Sequence, residues 1–195
     1  FATDVVLKPM NCPPMKFNLK PDAVPFKTFT MRSIPLAYRK AVEAELQDMV
    51  AKGIIERVGD RPTSWIHPMV VQPKPDGTVR ITTDLTKLNK QVERTVHNAR
   101  TPADVASDRL LGAKYFSTLD AKSGYWQMEL HPDSRDLTTF LTPFGVYRYL
   151  RGPMGFVSTG DTFNLHGDRA IEGIQNVSKI VDDILVEDKA LEEHV

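Results

Sequence analysis

Three aspartates could do chemistry in this chain. Asp182 and Asp183 stand side by side in "KIVDDILV" (Lys179–Val186), and Asp120 closes "KYFSTLD". Val177, Ile180 and Val181 before the pair, and Ile184, Leu185 and Val186 after it, are aliphatic and mostly β-branched, so they read as two short strands with a turn at the aspartates. Tyr115–Leu119 reads as a further strand with Asp120 at its end. If these strands are neighbours in one sheet, the carboxylates converge at one edge. There they could hold two hard cations about 3.5–4 Å apart, an arrangement that stabilises both the attacking and the leaving oxygen of an in-line phosphoryl displacement. The same residues also suit an ordinary solvated hairpin turn, and the aspartate pair alone does not separate the two readings.

The elements that must position these groups follow from periodicity and punctuation. Residues 1–34 contain Pro9, Pro13, Pro14, Pro21 and Pro25 without a sustained period, so they read as an extended arm. Val42, Leu46, Met49 and Val50 recur at helical spacing between Pro35 and Gly53, which predicts an amphipathic helix over 35–52. "PMVVQPKPDGTVRITTDL" predicts a hairpin, with strands through Met69–Gln72 and Val79–Thr82 and a turn at Pro75-Asp76-Gly77. Lys74 and Arg80 lie near its tip. A polar helical patch is expected around 102–112 and a charged helix through Asp133–Thr139. The Gly/Pro-rich run Thr142–Asp161 follows, then a helix to about Ile174. No internal repeat or low-complexity tract occurs.

A chain of 195 residues can bury one sizeable core, or support two small subdomains. The lone Cys12 cannot form an internal disulfide and the five histidines are scattered, so zinc is not expected and a reducing compartment is. No apolar run of about 18 residues or signal-like start is present, so the chain reads as soluble and intracellular, with no membrane partner. It begins at Phe1 rather than Met, which reads as a segment of a longer protein. Net charge is zero, yet residues 1–100 carry six more cationic than anionic residues and residues 101–195 six fewer. The first half could attract phosphate and the second cations.

Five ordered motifs carry a resemblance over roughly residues 25–195: "GIIERV" with "PTSWIHPMVV", "KPDGTVRITTDLTKLNK", "FSTLDAKSGYWQMEL", "LTTFLTPFGVYRYLRGPMGF" and "IVDDILV". In this order the chain resembles the reverse transcriptase of gypsy-type LTR retrotransposons, part of a Pol polyprotein. The resemblance implies an α+β fold of fingers and palm, the palm bearing an antiparallel sheet packed on helices. It implies an arm over 1–26, fingers over 27–95, palm over 96–127, a return to the fingers over 128–158 and palm again over 159–195. The thumb, RNase H and protease would lie outside this chain.

What the resemblance implies for the site is specific to residues. Asp120, Asp182 and Asp183 match the catalytic aspartates that bind two Mg²⁺ ions, with Mn²⁺ as a substitute. Ala121 lies beside the metals and offers backbone contacts to the incoming triphosphate. Lys74 and Arg80 match the cations that grip that triphosphate. Tyr125 matches an aromatic ring under the sugar that excludes a 2′-hydroxyl. Met154 and Gly155, with Pro153, match a Pro-x-Gly stretch near the templating base, and Ile180 and Val181 lie near the primer terminus. Ile180 departs from the usual Tyr, Phe or Met, Met154 from Gln or Phe, and "STGD" (Ser158–Asp161) from an Asn-Ala-Pro type run. The implied reaction is addition of dNTPs to a primer 3′-hydroxyl on an RNA or DNA template, in the cytoplasm and a virus-like-particle setting. The alternative is a non-catalytic, nucleic-acid-binding or inert remnant.

Overall fold

The computed structural model describes residues 7–59, 61–97, 100–101, 103, 105 and 112–194. The helical patch expected at 102–112 falls largely outside them. The contacts divide the chain into two units, one of residues 1–94 with 125–159 and the other of residues 95–124 with 160–195.

In the first unit, helix α1 (Leu36–Ala51) buries Val42, Leu46 and Met49, one face at helical spacing. Gly53, at φ +65, ends it in the left-handed conformation that suits glycine. Strands β1 (Ile55–Arg57), β2 (His67–Pro73) and β3 (Val79–Thr83) follow, then a short helix α2 (Thr86–Asn89). The chain passes through the second unit, which holds β4 (Tyr115–Asp120), and returns in helix α3 (Pro132–Arg135), β5 (Phe140–Thr142) and β6 (Gly145–Tyr149). The sheet order is β1-β6-β5-β2-β3. Its β2–β5 pairing is parallel, His67 opposite Phe140, and the other pairings are antiparallel. Phe140, Tyr149, Ile54, Ile81, Leu85 and Leu88 fill the core. Arg148, nearly buried, is held between Glu56 and Asp136, so its charge is compensated on both sides.

One expectation changes here. The charged helix expected over Asp133–Thr139 is broken: α3 stops at Arg135 and a 3₁₀ turn covers Asp136–Thr138. The Thr138 and Thr139 hydroxyls donate to the carbonyls of Arg135 and Asp136, and such local side-chain bonds compete with α-helical pairing. The proline-rich arm is extended but docked. Met15 and Phe17 are buried, and the Phe17 ring stacks on Phe156 with centroids 3.6 Å apart. The Phe17 N–H donates to Ser134 Oγ at 2.8 Å. Each buried side chain contributes about 1.5–3 kcal/mol of apolar transfer.

His67 is fully buried, its Nε2 3.0 Å from the Leu137 carbonyl oxygen and its Nδ1 without a partner among the described residues. Burial holds its pKa below the ordinary value. As pH falls, the unfolded chain therefore takes up a proton first, from about pH 6.5 downward, and stability falls with it. Melting curves between pH 7.5 and 5 are expected to show a falling midpoint, and His67→Gln to flatten that slope; an unchanged slope would contradict the assignment.

The second unit contains β4 (Tyr115–Asp120), helix α4 (Thr159–Ala170, starting at the boundary), β7 (Val177–Ile180), β8 (Asp183–Asp188) and a last turn α5 (Leu191–His194). The sheet order is β4-β8-β7, all antiparallel. Helix α4 ends at Ala170, short of the expected Ile174, because Ile171–Ile174 close a turn with Gly173 at φ +81. His194 ties α5 to the sheet through Asp188 Oδ2 and Ser117 Oγ, both at 2.8 Å. Among the described residues no helix is long and apolar enough to cross a membrane.

Candidate functional site

The β4–β8 register places Asp120 directly opposite Asp183, the last pair of that ladder. Directly opposed residues in antiparallel strands have Cβ atoms about 4.5–5.5 Å apart, so two like charges share one sheet end. Asp183 also closes the β7–β8 hairpin opposite Ile180. The tip is therefore Val181-Asp182, and Asp183 belongs to the strand rather than to the tip, where the sequence suggested it. The Ala121 N–H donates to the Asp182 carbonyl at 2.9 Å and carries the alignment one residue past β4. All three aspartates are exposed, and none forms an ion pair with a described residue.

Val181 sits at φ +57. A β-branched residue rarely adopts this left-handed conformation, so the turn stores strain that its surroundings must hold. One of those surroundings is Lys179, on β7, only 6 % exposed. Its Nζ donates to the Val181 carbonyl at 3.0 Å and to Asn164 Oδ1 at 2.9 Å, and pairs with Asp168 Oδ1 at 3.5 Å. Burial lowers its pKa, while Asp168 and Asp182 act in the opposite direction.

The chain after Asp120 is shaped by close packing. A Cβ on buried Gly124 would lie 2.6 Å from the Phe163 ring, so no larger residue fits without a shift. Gly124 opens a 3₁₀ turn, Gly124–Gln127, that carries half-buried Tyr125.

The remaining sequence candidates lie in the first unit. Lys74 and Arg80 are exposed on the β2–β3 hairpin, where Arg80 pairs with Gln72 in register. Its turn is closed by Lys74 N–H to the Thr78 carbonyl and by Asp76, which accepts from both the N–H and the hydroxyl of Thr78. Pro153 is buried, Met154 half-buried and Gly155 exposed at φ +92. Asn89 fixes this loop: its Nδ2 donates to the Gly155 carbonyl at 2.9 Å, and its Oδ1 accepts from the Val157 N–H at 3.0 Å. Neither Asn89 nor Lys179 was singled out from sequence. Asn89 sits in the "KLNK" stretch, and a Lys inside an aliphatic strand was the available signal for the second.

The donor set suits hard divalent cations: carboxylate oxygens at one sheet end, open to solvent, with a backbone frame that fixes two of them opposite each other. Among the described residues, however, no three His, Cys, Asp or Glu side chains are gathered closely enough to hold a metal ion.

Comparison with known proteins adds an independent finding. The family described as reverse transcriptase (RNA-dependent DNA polymerase) matches residues 72–195. The chain is 34% identical over 175 residues to an enzymatic polyprotein of Cestrum yellow leaf curling virus, covering 84% of this chain and 26% of that one. It is 30% identical over 179 residues to the retrovirus-related Pol polyprotein from transposon 412 of Drosophila melanogaster, covering 88% and 14%. The chain thus spans a minor part of these relatives' length. Among solved structures, the foamy viral protease-reverse transcriptase in complex with an RNA/DNA hybrid superposes with a TM-score of 0.84 at 21% identity, covering 98% of this chain and 25% of that chain. That likeness shows the fold.

Proposed function

We propose, since the chain belongs to the reverse transcriptase (RNA-dependent DNA polymerase) family, that it forms the fingers and palm of a polymerase that adds dNTPs to a primer 3′-hydroxyl on an RNA or DNA template. The observation that carries this reading is the β4–β8 register, with Asp120 opposite Asp183 and Asp182 next in the turn. Asp120, Asp182 and Asp183 would hold Mg²⁺ or Mn²⁺, with Ala121 beside them. Bound there, two such ions supply charge stabilisation for the attacking and leaving oxygens. The protein's own residues orient the reactants. Lys74 and Arg80 suit the triphosphate, the first as a point charge and the second as a planar multi-donor clamp. Tyr125 would lie under the sugar, Pro153, Met154 and Gly155 near the templating base, and Ile180 and Val181 at the primer end. The fingers would comprise residues 27–95 and 128–158, and the palm 96–127 and 159–195. In a cell the chain would work in the cytoplasm with the thumb, RNase H and protease of a Pol polyprotein.

A palm that binds primer and template without chemistry, or an inert remnant, is the second reading, favoured by Ile180, which stands where the family usually has Tyr, Phe or Met. Gel-shift of a primer–template, with this chain extended through its thumb, separates the two. The polymerase reading expects the complementary dNTP with Mg²⁺ to strengthen the complex at least about tenfold over a mismatched dNTP, a ratio within reach of discrimination by pocket contacts. Equal binding with every dNTP favours the second reading.

A further inference from the structure

Lys179 is built into the second unit more closely than a surface lysine. Its ammonium, with three N–H donors, faces three acceptors: the Val181 carbonyl, Asn164 Oδ1 and Asp168 Oδ1. It lies over the Phe163 ring, 5.5 Å from the centroid. Its stem fills a space that only glycine leaves open, since a Cβ at Gly167 would sit 2.5 Å from Lys179 Cε. Asp168 is in turn bonded by His97 Nε2 at 2.8 Å. The carbonyl that Lys179 holds belongs to Val181, the residue with strained backbone, and the next residue is Asp182.

We propose that Lys179 is a positioning residue for the aspartate turn: its ammonium fixes the Val181 carbonyl, holds the strained turn in place and so aims Asp182 at the metal it would bind. This rests on the polymerase reading for the metal, but not for the clasp itself. The turn's aim has a reporter, because the Ala121 N–H is bonded to the Asp182 carbonyl. A lysine that only joined β7 to α4 would affect melting and leave that reporter unmoved.

The test compares this chain with Lys179→Met, which keeps the stem but loses donor and charge, and Lys179→Gln, which keeps a donor. Two quantities are read: amide hydrogen exchange at Ala121 and Mn²⁺ binding by electron paramagnetic resonance. In Lys179→Met, Ala121 exchange is expected to quicken about tenfold and Mn²⁺ binding to weaken about tenfold, the scale of a lost charged hydrogen bond. Lys179→Gln is expected to restore both toward the unmutated chain. Unchanged Ala121 exchange in Lys179→Met overturns the clasp. Where the unmutated chain binds Mn²⁺, equal or tighter binding by Lys179→Met overturns the aiming role, because the lysine then acts only as a repelling charge. If the unmutated chain binds no Mn²⁺, the metal reading fails by itself and Ala121 exchange still decides the clasp. Should Lys179→Met fail to fold, Gly167→Ala, whose methyl group would displace the lysine stem, is expected to quicken Ala121 exchange in the same way; no change there overturns the proposal.

Discussion

Asp120→Asn, in this chain completed by its thumb, is expected to lower the rate of nucleotide incorporation by about 10³-fold or more while leaving the melting midpoint within a few degrees. The magnitude follows from the role: a carboxylate that holds a catalytic cation supports several kcal/mol of transition-state charge, and each 1.36 kcal/mol is a factor of ten. The fold should survive because Asp120 is exposed and forms no ion pair with a described residue. Asn also removes one of two like charges facing each other across β4 and β8, which if anything relieves repulsion. Single-nucleotide incorporation under excess enzyme checks it, and activity within a few-fold of the unmutated chain would take Asp120 out of the site.

Tyr125→Val should weaken sugar discrimination by about 10–10²-fold, the range that a change of a few atoms in a shaped pocket produces. The ring is carried on a turn whose start is pinned, since Gly124 admits no Cβ against Phe163. A bulky side chain on a fixed backbone rejects a 2′-hydroxyl by contact rather than by hydrogen bonding, so shortening it should admit ribonucleotides with little change in dNTP use. The ratio of kcat/KM for a dNTP and the matching ribonucleotide measures this. An unchanged ratio would leave Tyr125 as a packing residue.

What the sequence made legible and what it hid divide along a physical line. The β4 strand, the β7–β8 hairpin, α1 and the β2–β3 hairpin are local: alternation or helical spacing ended by Asp, Pro or Gly specified each, within about two residues. The opposition of Asp120 and Asp183 was legible only as a condition, since strand neighbours 63 positions apart pair through the whole unit. Lys179 was hidden for the same reason. In sequence it is a charge on a short strand, which usually means a solvated face, and its burial depends on Asn164, Gly167 and Asp168 in another element. The sequence showed the arm as extended and left its docking open, because prolines signal extension and are silent about docking. Ser134 and Phe156, more than 100 residues away, show why Phe17 is fixed.

The central claim is that the carboxylates at this sheet end serve polymerisation. Its most direct measurement is extension of oligo(dT) on poly(rA) by the thumb-completed chain with Mg²⁺ or Mn²⁺, beside the Asp182→Asn, Asp183→Asn double variant. Metal-dependent extension by the unmutated chain, lost in the double variant, is the expected result. A folded, primer-binding chain that does not extend, or a double variant that extends equally well, would contradict it.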